Sequence, residues 1–174
     1  MPELKRILVP VDFSTCSREA LRQAIELAAS FDAEVHAVHV WEPSPYVSPD
    51  SLVWLNGEQK SFWDHMRLQL IEQLRAAVDE AVSASGSKPA VIATKVVSGY
   101  TSETILSTVR DEGFDMVVMG THGRTGLTHV LLGSVAERIV RLASCPVMTI
   151  KPCEPSKDSG APELPKGFDT PTML

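Results

Sequence analysis

The sequence predicts an α/β fold, a single five-stranded parallel sheet with helices on both faces. Three observations predict it. Short β-branched runs alternate with longer segments of helical spacing. Two of those runs are almost wholly apolar, as central strands covered on both faces must be. The resulting order βαβαβαβαβ requires right-handed crossovers and places ligand sites beyond the carboxyl ends of the strands, where strand order reverses.

Each element has its own warrant. RILVPVD (6–12), EVHAVHV (34–40), AVIATKVV (90–97), DMVVMG (115–120) and PVMTIK (146–151) read as the strands. Leu21, Ile25 and Ala28 mark the first helix; Phe62, Met66, Leu70, Leu74, Val78 and Ala81, spaced by about one turn, mark a long second. Ile105, Leu106 and Val109 carry the third, and Ile139, Val140, Leu142 and Ala143 the fourth, which starts near Ser134. Two segments stand outside the alternation. Residues 42–60, EPSPYVSPDSLVWLNGEQK, form a long connection with three prolines, and Tyr46, Leu52, Val53, Trp54 and Leu55 make it apolar for a solvated loop. It reads either as a surface loop or as a lid or partner-contacting loop. Residues 153–174, rich in proline, serine and charge, read as an appended tail to a domain spanning 1–152.

Composition limits the function. A chain of 174 residues, 44% hydrophobic, buries one good core and not two. A net charge of −6 argues against duplex nucleic acid or an anionic membrane surface as partner. No apolar run reaches the length of a membrane span and the first residues lack a secretory pattern, so a cytoplasmic location is expected. Cys16, Cys145 and Cys153 form neither a CxxC pair nor an even set, which argues against a disulfide framework or a cysteine zinc site.

The chemistry concentrates in MGTHGRTGLTHVLLGS, residues 119–134, which holds four of the chain's ten glycines between a strand and a helix. Glycine admits positive φ and lets an anion approach backbone amides without meeting a Cβ, and the following helix terminus adds unpaired amides and a positive dipole end. Arg124 can add a bidentate charge. Neither GxGxxG nor GxxxxGK[ST] is present, so the dinucleotide fingerprint and the P-loop do not apply.

What is present is Gly120, two residues, Gly123, nine residues, Gly133 and Ser134, directly after an apolar strand. That spacing resembles the nucleotide-binding signature of the universal stress protein family. The resemblance includes RILVPVDFS, HAVHV, DMVVMGTHGRTGL and LLGSVAERIVRLASCPVMTIKP in order and spacing, from about Leu4 to Pro152, with residues 42–90 matching only in character. It implies an open nucleotide-binding sheet of the adenine nucleotide alpha hydrolase-like kind, with ATP at the carboxyl edge of the first and fourth strands. Carried over by position, it implies that Pro10 and Met119 lie at the site and that the backbone of Val11 and Val40 meets the adenine. It likewise implies that Asp12 accepts from the ribose hydroxyls and that amides at Gly120, Gly123 and Gly133, with Ser134, Val135 and the Arg124 side chain, hold the phosphates. Gly126 is an extra glycine that the signature does not use. A homodimer through the last strand, from Pro146 to Lys151, is implied as well, and that strand also reads as an uncovered apolar edge.

Plainer roles compete at several residues. Asp12 can satisfy turn or helix amides, although a phosphate loop expected on the neighbouring strand favours the ribose. Ser134 with Glu137 spells a capping box, and its hydroxyl can exchange that role for a phosphate. His36 and His39, three apart on a strand, point to opposite faces and cannot chelate together; His122 and His129 lack the spacing of a metal site. Magnesium on the phosphates is compatible, because it needs few protein ligands. No Walker-type Asp or catalytic-loop pattern accompanies the glycines, so the sequence supports binding over catalysis. The expectation is an ATP-binding regulatory protein of the stress response; a slow ATP hydrolase or phosphate-transferring enzyme, and a structural dimer that uses no nucleotide, are the alternatives.

Overall fold

The computed structural model describes residues 3–43, 46, 48, 51–87, 91–121 and 132–151. In chain order the elements are β1 (Arg6–Pro10), α1 (Thr15–Phe31), β2 (Glu34–Trp41), β3 (Leu52–Leu55), β4 (Glu58–Ser61), α2 (Phe62–Ser85), β5 (Val91–Ser98), α3 (Thr101–Glu112), β6 (Met116–Gly120), α4 (Ser134–Leu142) and β7 (Val147–Ile150). The main sheet has five strands in the order β5-β2-β1-β6-β7, and every pairing in it is parallel. From β1 the chain first winds outward through β2 to β5, then crosses back to β6 and β7. Strand order therefore reverses between β1 and β6.

Alternation along the central strands separates two cores. Ile7, Val9, Val35 and Ala37 pack under Ala20, Leu21, Ala24 and Ile25 of α1 and Leu74 and Val78 of α2. Leu8, Val38, Val117 and Met119 meet Ile105 and Val109 of α3 and Ala136 and Ile139 of α4 on the opposite face. Ile7, Leu8 and Val9 are all fully buried, which explains the unbroken apolar run in the sequence. His36 and His39 do lie on opposite faces: the His36 ring meets Phe114 edge-on and the His39 ring stacks on Phe13.

Helix ends follow their local chemistry. Ser14 caps α1 by accepting from the Ser17 amide at 3.2 Å, and Ser61 caps α2 by accepting from Asp64. Residues 42–60 are not one loop. They contain the antiparallel β3–β4 hairpin, closed by Asn56 (φ 52°) and Gly57 (φ 83°), the pair of positive φ values that a two-residue primed turn requires. Trp63 at the start of α2 stacks on Trp41 at the end of β2, with ring centroids 4.7 Å apart, and so ties the hairpin to the carboxyl end of the sheet. No helix among the described residues is long and apolar enough to cross a membrane. The expected tail, 153–174, lies outside the described residues.

Candidate functional site

A cleft of about 480 Å³ opens at the carboxyl ends of β1, β2 and β6, beside the reversal of strand order. Its size falls within the range of roughly 300–1,000 Å³ typical of small-molecule sites. Pro10, Val11, Asp12, Val40, Met119, Gly120, Gly133, Ser134 and Val135, drawn from four separate segments, all line it. Gly123, Arg124, Gly126, His122 and His129 lie outside the described residues.

The β1 side of the cleft is built by how β1 ends. Asp12 closes the strand and uses one oxygen, Oδ1, to accept from both the amide (3.0 Å) and the hydroxyl (2.5 Å) of Ser14. The turn role foreseen for Asp12 is therefore filled by one oxygen. Oδ2 has no partner among the described residues and remains available to hydroxyl donors. Phe13, at φ 67°, occupies the left-handed region, which a bulky residue rarely adopts, and swings the chain away from β2 into α1.

Val11 and Val40 differ in what their backbones offer. The Val11 amide donates to the Val38 carbonyl at 2.8 Å, and the Val11 carbonyl accepts from His39 Nδ1 at 2.7 Å. Val11 therefore has no spare donor for a base, and of the backbone groups expected to meet the adenine only its carbonyl oxygen, with one lone pair taken by His39, is left. Along β2, even-numbered residues turn their peptide groups to β1, as Glu34 to Lys5 and Val38 to Val11 show, while Trp41 turns its carbonyl to Gly99 on the β5 side. By that alternation Val40 faces the β1 side, past the point where β1 has turned away. Its N–H and C=O form an adjacent donor and acceptor directed into the cleft.

The far wall is the start of α4. The helix begins at Ser134 with Gly133 as its N-cap, one residue earlier than a Ser134–Glu137 capping box requires. The capping box does not form: Ser134 is exposed, no side chain caps the helix, and Glu137 pairs with Arg141 one turn on. Gly133 differs from expectation too. Its amide donates to the Thr121 carbonyl at 2.8 Å, so this N–H is not open to an anion. The amides of Ser134, Val135 and Ala136, in the first turn of α4, have no carbonyl four residues back within the helix and face the cleft with the positive end of its dipole.

Gly120 has a packing reason to be glycine. An added Cβ would stand 2.7 Å from Cys16 Cβ and 3.0 Å from the Cys16 carbonyl carbon, so β6 and the first turn of α1 touch backbone to backbone here. Gly133, at φ −70° and ψ 155°, has a backbone open to any residue.

Sequence reasoning missed part of the lining. Glu42 Oε1 accepts from both the amide and the hydroxyl of Thr101, each at 2.8 Å, and so caps α3 across the mouth of the cleft. Those two bonds, the amide first, hold the Glu42 carboxyl below its ordinary range. No residue of α3 caps that helix: Tyr100 stands at the N-cap without a side-chain bond. His39, Trp41, Ser17 and Ile105 complete the wall. The signal for His39 was its place on the strand, one residue before Val40.

Residues 3–151 match the universal stress protein family. The chain is 34% identical to Universal stress protein MJ0531 of Methanocaldococcus jannaschii over 154 residues, which covers 88% of this chain and 85% of that one. The solved structure of MJ0577, from the same organism, superposes with a TM-score of 0.66 at 26% identity, over 88% of this chain and 99% of the other. A universal stress protein family protein from Arabidopsis thaliana, solved with AMP bound, superposes with a TM-score of 0.53 at 23% identity, over 88% of this chain and 97% of its own. The profile and the relatives cover nearly all of the described sheet and its helices. The chain belongs to the universal stress protein family.

Proposed function

We propose that this protein is a cytoplasmic ATP-binding module of the stress response, whose nucleotide occupancy is read by its own dimer or by a protein partner. One observation carries the reading. A single cleft lines up a donor and acceptor on Val40, an uncommitted oxygen on Asp12 and the open amides that begin α4. These suit, in order, the edge of an adenine, a ribose and an anionic phosphate chain. The AMP seen in the Arabidopsis relative supports an adenine nucleotide. In this assignment Gly120, Gly123 and the Arg124 side chain, with Ser134 and Val135, hold the phosphates, and a magnesium ion rides on the phosphates with few protein ligands. The Gly133 amide is reserved for Thr121.

The dimer is assigned to β7. That strand stands at the edge of the sheet, Met148 on it is 38% exposed, and Val140 and Leu142 of α4 expose apolar surface near it.

Purified protein is denatured and the released small molecules are identified by mass spectrometry, and nucleotide-free protein is then titrated calorimetrically with ATP and GTP. Release of adenine nucleotide and a preference for ATP of about tenfold are expected, since mismatched buried base donors and acceptors cost roughly 1–3 kcal/mol each. Absence of ATP binding at millimolar concentration overturns the reading. Equal affinities for ATP and GTP remove the base assignment, and phosphate release within seconds of mixing makes the protein an ATP hydrolase instead.

A further inference from the structure

The β1–β2 ladder stops one step earlier than its register allows. Arg6 through Pro10 pair with Glu34 through Val38, and the Val11 amide extends the ladder to the Val38 carbonyl at 2.8 Å. In a parallel pair the next rung runs from the Val40 amide to the Val11 carbonyl. That rung is absent. The Val11 carbonyl is taken by His39 Nδ1 at 2.7 Å instead. A carbonyl oxygen only accepts, so Nδ1 carries the proton and donates. His39 is 7% exposed and its ring is clamped by Phe13, 4.6 Å between centroids, the same residue whose left-handed backbone turns the chain away.

We propose that His39 is a positioning residue for base recognition: by occupying the Val11 carbonyl it keeps the Val40 amide out of the sheet and open to the adenine. This rests on the assignment of the cleft to ATP. Two donors, the His39 Nδ1–H and the Val40 N–H, compete for one carbonyl oxygen. Without the imidazole, the Val11 carbonyl can be satisfied either by water or by the Val40 amide, and the latter would close the base edge into the ladder. His39 acts on the donor that reads the base, whereas the amides assigned to phosphate sit on another element, the first turn of α4.

The test uses His39→Leu and His39→Asn in the full chain, titrated with ATP, GTP and tripolyphosphate. An asparagine side-chain amide can donate from near the Nδ1 position, whereas leucine keeps the volume without a donor. In His39→Leu, ATP is expected to weaken about tenfold, with GTP and tripolyphosphate changed less than about twofold; His39→Asn restores most of the ATP preference. Parallel loss of all three ligands, or an unchanged ATP preference in His39→Leu, overturns the proposal. A second readout needs no variant. In the ligand-free parent the Val40 amide should exchange with solvent faster than the laddered Val38 amide, and ATP but not tripolyphosphate should slow it. A Val40 amide as protected as Val38 in the ligand-free protein overturns the role of His39 even where ATP binds, whereas a parent that binds no ATP overturns the functional reading itself.

Discussion

Replacing Gly120 with alanine separates two reasons for a glycine at this position. The new Cβ would lie 2.7 Å from Cys16 Cβ, 3.0 Å from the Cys16 carbonyl carbon and 3.2 Å from the Ser17 amide nitrogen. Carbon atoms in favourable contact stand about 3.5–4.0 Å apart, so the first turn of α1 has to retreat from β6 by about 1 Å. Two of the three atoms are backbone, and no rotamer change relieves them. The helix behind them is locked by Ala20, Leu21, Ala24, Ile25 and Ala28, all fully buried. Overpacking of this kind costs about 1–3 kcal/mol, which for a domain of this size lowers the melting temperature by roughly 3–10 °C. The Cβ points at α1, so ATP should still raise the melting temperature of the variant by an increment close to that of the parent. Thermal melts with and without saturating ATP measure both quantities. Cys16→Gly, added to Gly120→Ala, removes the shortest contact and should recover part of the loss. A Gly120→Ala protein that melts with the parent but no longer responds to ATP would refute this reasoning and make the missing side chain a requirement of the phosphates.

Gly133→Val makes the opposite prediction: its φ of −70° and its bond to Thr121 suit valine, so the protein should fold, at a cost of about 1 kcal/mol for a poorer N-cap, while losing its thermal response to ATP. An undiminished response excludes Gly133 from the ligand's path. Glu19, held down to about 2 by its hydrogen bonds from Arg22, has a folded pKa below its unfolded one. Its stabilisation is therefore present above about pH 4.5 and is lost as pH falls towards 2. Chemical denaturation of Glu19→Gln should show a deficit below about 1 kcal/mol at pH 7, the range of exposed helix pairs, that shrinks across that window; a deficit independent of pH contradicts the sign. Met148→Lys on β7 should shift sedimentation from dimer to monomer at tens of micromolar protein, and a parent already monomeric there removes the edge-strand assignment.

The parallel sheet was legible because its strands are buried on both faces, and a run such as Ile7, Leu8, Val9 has no other stable use in a chain this short. The hairpin was carried in the sequence as well. Asn56 and Gly57 between LVWL and EQKS are a two-residue turn signal, but the prolines upstream and the long stretch without helical period made 42–60 read as one loop. Strand ends were less legible. Asp12 belongs to the same apolar run as Val9, and only the left-handed Phe13 tells the chain to leave β2. A positive φ on phenylalanine has no sequence signal, because the conformation is imposed by the packing around it and opposes local preference.

The same limit explains which parts of the site could be read. Residue types that act through side chains or through missing side chains leave a trace, and it singled out Asp12, Gly120 and Ser134, all of which line the cleft. Groups that act through backbone direction leave none of their own. Val40 is one apolar residue among several on β2, and its amide and carbonyl are left open to the cleft only because the neighbouring strand has turned away and a histidine has claimed the carbonyl it would otherwise meet. Glu42 was hidden for a related reason. Its partner Thr101 lies 59 residues along the chain, and α3 has no capping residue of its own, so an acid two positions beyond Val40 serves both as the cap and as part of the cleft wall. The position of α3 relative to the cleft is thereby coupled to β2 through one carboxylate. A change in Glu42 should therefore disturb the mouth of the cleft more than the sheet beneath it.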